Sequence, residues 1–230
     1  MDDDRMDPQE FADLARELSR AECPQRTAEQ VVDHAREVLG ADHGGITLIR
    51  SGGRLESLAY TDDLVAKADQ LQYDLGEGPC RDATWQAVTL ASQDLAVDDR
   101  WPQWAPQASH LGIASVLAAE LTAADTERRL GALNLYWTQP TTFTSDDLAY
   151  ASIFAVHAAV ALAYSLQDAQ LNTALDARKV IGQAQGILME RYDLATEQSF
   201  EVLRRYSQDH NIKLREVAQQ LVDTRRLPGT

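Results

Sequence analysis

Apolar residues recur at helical spacing through the first forty positions, as Phe11, Leu14 and Leu18 and then Val31, Val32, Ala35, Val38 and Leu39. This predicts two helices over residues 8–39, the second opened at Thr27 by a capping-box sequence and stopped by Gly40. The period then shortens. Residues 45–50 form a β-type run, Ser51-Gly-Gly53 a turn, and residues 54–60 alternate, which together predict a hairpin. Residues 64–71 fit a short helix, Gly76-Glu-Gly-Pro79 a tight loop, residues 80–87 a helix leaving it, and residues 88–91 a short strand. A helix runs from Arg100 to His110. Residues 114–121 and 130–137 predict a second hairpin around the polar turn 124–127, and Ser145-Asp-Asp-Leu148 caps a long alanine-rich helix.

Hairpins with helices segregated around them predict an α+β domain, an antiparallel sheet flanked by helices, over residues 1–166. The long helix, residues 145–173, has Ser152, Ala155, Ala159, Leu162, Leu166, Ala169 and Thr173 at alternating steps of three and four. That rhythm fits a dimer seam through Ala155, Ala159, Leu162 and Leu166, and it equally fits packing on the sheet. Residues 173–230 predict an all-α domain of three short helices. The first opens at Thr173, with Val180, Ile181, Ala184, Ile187 and Leu188 inward; the second opens at Thr196, with Phe200, Leu203 and Tyr206; the third carries Leu214, Val217, Ala218, Leu221 and Val222. A core this small calls for support from the preceding helix or a dimer mate.

Charge separates the same two parts. The 230-residue chain carries −15 overall. Residues 1–171 hold 12 Lys/Arg against 28 Asp/Glu, net −16, and residues 172–230 hold 9 against 8, net +1. Cys23 and Cys80 lie too far apart for a cysteine metal motif and suit a reducing compartment. The acidic start is unlike a signal peptide. The longest apolar stretch, residues 153–164, contains His157 and is short for a membrane span. A soluble cytoplasmic protein with no membrane partner is expected.

Catalytic motifs are missing from the sequence: no phosphate-binding loop, no His-Glu-x-x-His and no Gly-x-Ser-x-Gly. No enzyme activity is expected, no metal or nucleotide motif is found, and any cofactor is unknown. Cys80 follows Gly-Pro where a helix begins, a place where the helix dipole and Arg81 would lower a thiol pKa. Tyr73, Trp85, Trp101 and Trp104 cluster around that segment and suit either a ligand pocket or plain core. In the tail, Arg178, Gln185 and Met189 lie opposite the apolar stripe, flanked by Lys179, Gly182 and Gly186. Two helix glycines leave that face open to a phosphate backbone or another helix. Arg204, Arg205, Lys213 and Arg215 extend the basic inventory, which also fits a solvated face.

The tail resembles the ANTAR domain through residues 174–191, Ala-Leu-Asp-Ala-Arg-Lys-Val-Ile-Gly-Gln-Ala-Gln-Gly-Ile-Leu-Met-Glu-Arg, then Ser199-Phe-Glu-Val-Leu-Arg204 and Leu214-Arg-Glu-Val-Ala218. Residues 8–166 are similar in layout to a GAF domain, with the Gly-Glu-Gly-Pro-Cys loop of actinobacterial GAF–ANTAR proteins. The resemblance implies a GAF-like domain responding to a small ligand or redox signal. It also implies a dimeric three-helix module that binds paired RNA stem-loops in leader transcripts and prevents termination. Carried over by position, the RNA contacts are Arg178, Lys179, Gln185, Gly186, Arg204 and Arg205, with Lys213 and Arg215 behind them. The family's Ala-Lys-Gly is Ala184-Gln185-Gly186 here, an amide in place of a cation. A helix-turn-helix DNA binder and a protein-docking module are the alternatives that the three helices leave open.

Overall fold

The computed structural model describes residues 23–123 and 128–227, so the expected helix carrying Phe11, Leu14 and Leu18 and the turn at 124–127 lie outside the described residues. The chain divides into two units, Met1–Leu166 and Gln167–Thr230. In the first unit the order is α1 (Pro24–Leu39), β1 (His43–Ile49), a 3₁₀ turn (Ser51–Gly53), β2 (Leu55–Tyr60), α2 (Asp63–Leu75), α3 (Pro79–Gln86), β3 (Leu90–Ser92), α4 (Trp104–His110), β4 (Ser115–Ala123) and β5 (Arg128–Trp137). Helix α5 (Ser145–Tyr192) begins here and continues into the second unit, where α6 (Thr196–His210) and α7 (Leu214–Thr224) follow. Helix α1 starts earlier than Thr27 implies. Pro24 with its preset φ takes the first turn, and Thr27 sits buried inside, its Oγ1 donating to the Cys23 carbonyl at 3.1 Å.

The five strands form one antiparallel sheet in the order β2-β1-β5-β4-β3. Alternation along β5 assigns its residues to opposite faces. Leu133, Leu135 and Trp137 join Val31, Val32 and Ala35 of α1 and Phe154, Ala158 and Leu162 of α5 in one core. Tyr136 joins Val65 and Ala68 of α2 and Trp101, Trp104, Ala105 and Ala108 near α4 in the other. At the centre of the sheet Gly131 pairs with Leu48 and Leu121 beside an irregularity in the β4–β5 register. Its φ of +153° lies where side chains are rarely tolerated, and a Cβ there would collide with the Thr47 carbonyl.

The seam read from the alternating steps of three and four belongs to this core. Ala155, Ala159 and Leu162 are fully buried against the sheet and Leu166 packs beside them, so these four face the core of the single chain, the second of the two readings of their spacing. The large apolar residues that α5 leaves exposed are others: Ile153, Val156, Val160, Tyr164, Leu171, Leu175 and Tyr192. Nor does a new helix open at Thr173. Neither Gly nor Pro occurs between Ser145 and Gly182, so nothing stops the helix, and the Thr173 hydroxyl is absorbed by the Ala169 carbonyl at 2.8 Å. By length and composition α5 can cross a membrane; Ala151, Phe154, Ala158 and Leu162 of that helix are in the sheet core.

In the second unit Ala184 and Leu188 of α5, Leu203 of α6 and Val217, Ala218 and Leu221 of α7 form a small core, rimmed by Ile181, Ile187, Tyr206 and Val222. The sheet geometry gives a direct test. Gly131→Ala is expected to destabilise the first unit by about 3 kcal/mol or more, through strain added to a backbone clash, read in urea melts. A change below about 1 kcal/mol contradicts the close approach of β1 and β5.

Candidate nucleic-acid interface and sensor interior

In the second unit the geometry follows from where each side chain leaves α5. Arg178, Lys179, Gly182 and Gly186 are exposed, and a Cβ built on either glycine meets nothing within 4 Å. Gly182 and Gly186 each cost the helix about 1 kcal/mol relative to alanine, and no internal contact of the unit requires them. Gln185 is placed differently from expectation. It lies at the border of the core stripe, half-buried, and its Nε2 donates to the Thr196 carbonyl at 3.0 Å and toward Ser199 Oγ at 3.4 Å. The amide that replaces the family lysine therefore ties α5 to the start of α6. Met189 is also half-buried and accepts from Thr196 Oγ1.

The remaining cations are exposed. Arg204 pairs with Glu201 at 2.6 Å and Arg205 with Asp209 at 3.7 Å, exposed pairs that bind weakly and can be exchanged for a phosphate. Lys213 caps α7 through its backbone, its carbonyl accepting from Glu216 and Val217, which leaves its exposed side chain in solvent. Arg215 is exposed in the first turn of α7. Sequence reasoning gave Arg191 no task. Its Nη1 donates to the Arg225 carbonyl at 2.7 Å, fastening α5 to the left-handed end of α7. Nothing in the local sequence announces that bond.

In the first unit the five candidate residues do not line one pocket. Trp101 and Trp104 are buried, stacked edge to face with centroids 6.0 Å apart, and their indole N–H groups donate to Asp82 and to the Ala68 carbonyl. They are core. Trp85 is partly exposed, and its carbonyl accepts from Arg129. Tyr73 lines a surface groove, a space of about 790 Å³ beside β2 and α2 that Ser57, Gln70 and Asp74 also border. Cys80 does start α3, but its side chain is fully buried. Burial and the nearby Asp69 carboxylate push the thiol up to about 12, against the lowering expected from the helix dipole, so it is no nucleophile at neutral pH.

The chemistry of this interior centres instead on Asp69, a fully buried carboxyl on α2. Oδ1 accepts from Tyr136 OH at 2.6 Å and Asn134 Nδ2 at 3.3 Å, and Oδ2 accepts from Ser57 Oγ at 3.1 Å. Proton counting then orders the rest. The Ser57 proton is committed, so Tyr73 OH donates to Ser57 at 2.9 Å and Thr47 Oγ1 donates to Tyr73 at 2.8 Å. Thr47 in turn accepts from Asn134 Nδ2 at 3.1 Å. The hydrogen bonds close a ring that starts at Asn134 and ends on Asp69. A second arm runs outward from it. Gln72 Nε2 donates to Tyr136 OH at 3.2 Å, and its Oε1 accepts from the Cys80 N–H at 2.8 Å. Gly78, at φ +136°, leaves room for the Gln72 side chain, where a Cβ would collide. Asn134 Oδ1 is left buried with no partner among the described residues. The sequence signal for this network was present but unread: Asp69 and Gln72 interrupt the apolar face that Val65 and Ala68 define on α2.

Desolvation pushes the Asp69 carboxyl up to about 6, and the donors Tyr136, Ser57 and Asn134 limit the rise. The folded chain thus holds a proton that the unfolded chain releases near pH 4. The stability this group contributes falls as pH rises from about 4 to 6, by roughly 3 kcal/mol at most, and is flat above. In Asp69→Asn that slope disappears. Urea melts of variant and parent should therefore show a stability difference that shifts toward the variant between pH 4 and 6. A difference independent of pH contradicts the buried carboxyl. For the second unit, Gly182→Ala is expected to raise stability by about 0.5–1 kcal/mol, because the helix gains and nothing is struck. A loss in the same melts contradicts the open face.

Comparison with known proteins agrees with this geometry. Residues 22–163 match the GAF domain and residues 169–222 the ANTAR domain. No curated protein matches the chain. Among solved structures, the GAF domain of a phosphoenolpyruvate-protein phosphotransferase from Coxiella burnetii is 17% identical, with TM-score 0.56 over 70% of this chain and 94% of that one. A domain of a sensor histidine kinase protein from Sinorhizobium meliloti is 17% identical, with TM-score 0.53 over 67% and 97%. The free methionine-R-sulfoxide reductase of Neisseria meningitidis, solved with its substrate, is 13% identical, with TM-score 0.53 over 69% and 89%. At these identities the likeness is one of fold. GAF is a sensor domain and ANTAR an RNA-binding antitermination domain. The chain belongs to the GAF-domain family and, with the ANTAR domain that follows, is a GAF–ANTAR protein.

Proposed function

We propose that this protein is a non-enzymatic, cytoplasmic regulator that binds tandem stem-loops of a leader transcript as a dimer and lets transcription continue past a terminator, under control of a signal received by the GAF domain. The observation that carries the reading is the pairing of an ANTAR match with the exposed, glycine-lined face of α5, where Arg178 and Lys179 flank backbone that nothing else in the unit covers. A phosphate backbone can approach bare helix closely, and the arginine fork suits phosphate and splayed bases. Arg204, Arg205, Lys213 and Arg215 add exposed charge from α6 and α7. Gln185 serves this surface as a positioning residue, fixing α6 against α5.

The GAF reading rests on the interior around Asp69. The Tyr73–Ser57 end of its ring borders the surface groove, so a small polar ligand at that groove lies beside Ser57, which donates directly to the buried carboxyl, and Tyr73, which is linked to it through Ser57. The Cys80 thiol is shielded, which favours a ligand over a redox signal.

The test is binding of the full chain to labelled RNA carrying two short hairpins, across a salt series, with single-hairpin RNA and duplex DNA as competitors. Tandem RNA should win. Arg178→Ala should weaken it by about tenfold and lower the salt slope by about one. Equal affinity for duplex DNA, or binding that ignores both salt and the substitution, overturns the reading.

A further inference from the structure

The network around Asp69 reaches the surface on one side, where its protons can be counted. Ser57 and Tyr73, both half-buried, line the groove of about 790 Å³ beside β2 and α2. Three links form this branch: Asp69 Oδ2 to Ser57 at 3.1 Å, Ser57 to Tyr73 at 2.9 Å and Tyr73 to Thr47 at 2.8 Å. With Asp69 ionised, the three hydroxyls supply three protons for three links. None is left to point into the groove, and Ser57 and Tyr73 offer it only lone pairs. With Asp69 protonated there are four protons for the same links. Tyr136 OH keeps its bond to Oδ1, because its other partner, Gln72 Nε2, is itself a donor. The added proton therefore sits on Oδ2, and one hydroxyl proton becomes surplus. Thr47 is fully buried, so the surplus is turned out at Ser57 or Tyr73. One buried proton thus decides whether the groove accepts hydrogen bonds or donates one.

We propose that this groove is a binding site for a small organic ammonium ion, whose N–H groups bond Ser57 and Tyr73 and whose binding releases the Asp69 proton to solvent. The inference rests on the sensor part of the reading above and names its ligand class. Asp74 borders the same groove, exposed, and accepts from the Gln70 amide at 2.7 Å and, among the described residues, from no cation. It supplies the negative charge that an ammonium ion seeks. Arg54 and Glu56, the other charged residues there, pair with each other at 3.7 Å. An anionic ligand would need a donor that the ionised network does not have. The titratable groups that face Asp69 are Tyr73 on its own helix, Cys80 on α3 and Tyr136 on β5, all held neutral at pH 7 because burial raises them. Strands β2 and β5 add Ser57 and Asn134, and α4 packs on α2 through Trp104, Ala105 and Ala108. The proton exchanged in this interior is therefore that of Asp69, and a cation at the groove favours its loss.

Carbon-13 NMR of the full chain, following the Asp69 carboxyl through a pH titration, tests this without RNA. Methylammonium chloride is the probe, with sodium chloride at equal ionic strength as control and sodium methanesulfonate as the anionic counterpart. An alkylamine stays protonated over the whole titration. Methylammonium should move the Ser57 and Tyr73 signals, bring the Asp69 midpoint down by about one pH unit, and bind about tenfold tighter above that midpoint than below it. Ser57→Ala, which cuts the link to the groove, should abolish the midpoint change. Asp74→Asn, at an exposed site, should weaken methylammonium about threefold and keep the coupling. A midpoint that methylammonium leaves in place, or one that still moves in Ser57→Ala, overturns the proposal, as does unchanged affinity in Asp74→Asn. Methanesulfonate moving the Ser57 and Tyr73 signals where methylammonium does not overturns the ligand class and leaves the groove reading standing. No movement with either ion overturns both.

Discussion

The constraint on which this molecule depends is the continuity of α5. One run of 48 residues supplies Ala151, Phe154, Ala158 and Leu162 to the core beneath the sheet and Ala184 and Leu188 to the three-helix core. Neither unit closes without its share. Among the described residues nothing buries the middle of the helix, from Gln167 to Lys179. Helical residues can be propagated from ordered neighbours at little cost, but they gain little stability without a packed face.

The second organising feature is a buried polar network where an apolar core would be more stable. Asp69 is enclosed with Tyr73, Cys80 and Tyr136 as the titratable groups around it, and none of the causes that perturb it is a cation. A carboxyl in that setting sits between two protonation states near neutral pH, and its ring of hydroxyls has a direction that depends on which one holds. The two indoles that looked like pocket walls fill the space beside it. The part of the network that borders a surface groove is accordingly at Tyr73 and Ser57 and not at the tryptophan cluster.

Much of the fold was legible because it is periodic. The two hairpins, the helix after the Gly-Glu-Gly-Pro loop and the apolar stripes of the tail emerge from spacing alone, and the ANTAR motif identifies the exposed Arg178 face. Four readings needed three dimensions. Thr27 resembles a cap, but Pro24 supplies a better first turn. Thr173 resembles a helix start, but a start requires a break before it and the chain has none. The alanine rhythm of α5 fits both a seam and a core, and small side chains proved to be the fit to a sheet. Gln185 reads as a base-contacting amide, yet the helix turn places it where the Thr196 carbonyl is nearest. Asp69 escaped notice because a buried acid is recognised by its partners, which come from β2 and β5.

Hydrogen exchange along α5 in the full chain tests the central claim most directly. An unbroken helix predicts that amides from Gln167 to Lys179 exchange more slowly than those of an unfolded chain, though faster than those from Ala151 to Leu162. Exchange of this stretch at the unfolded rate would contradict it.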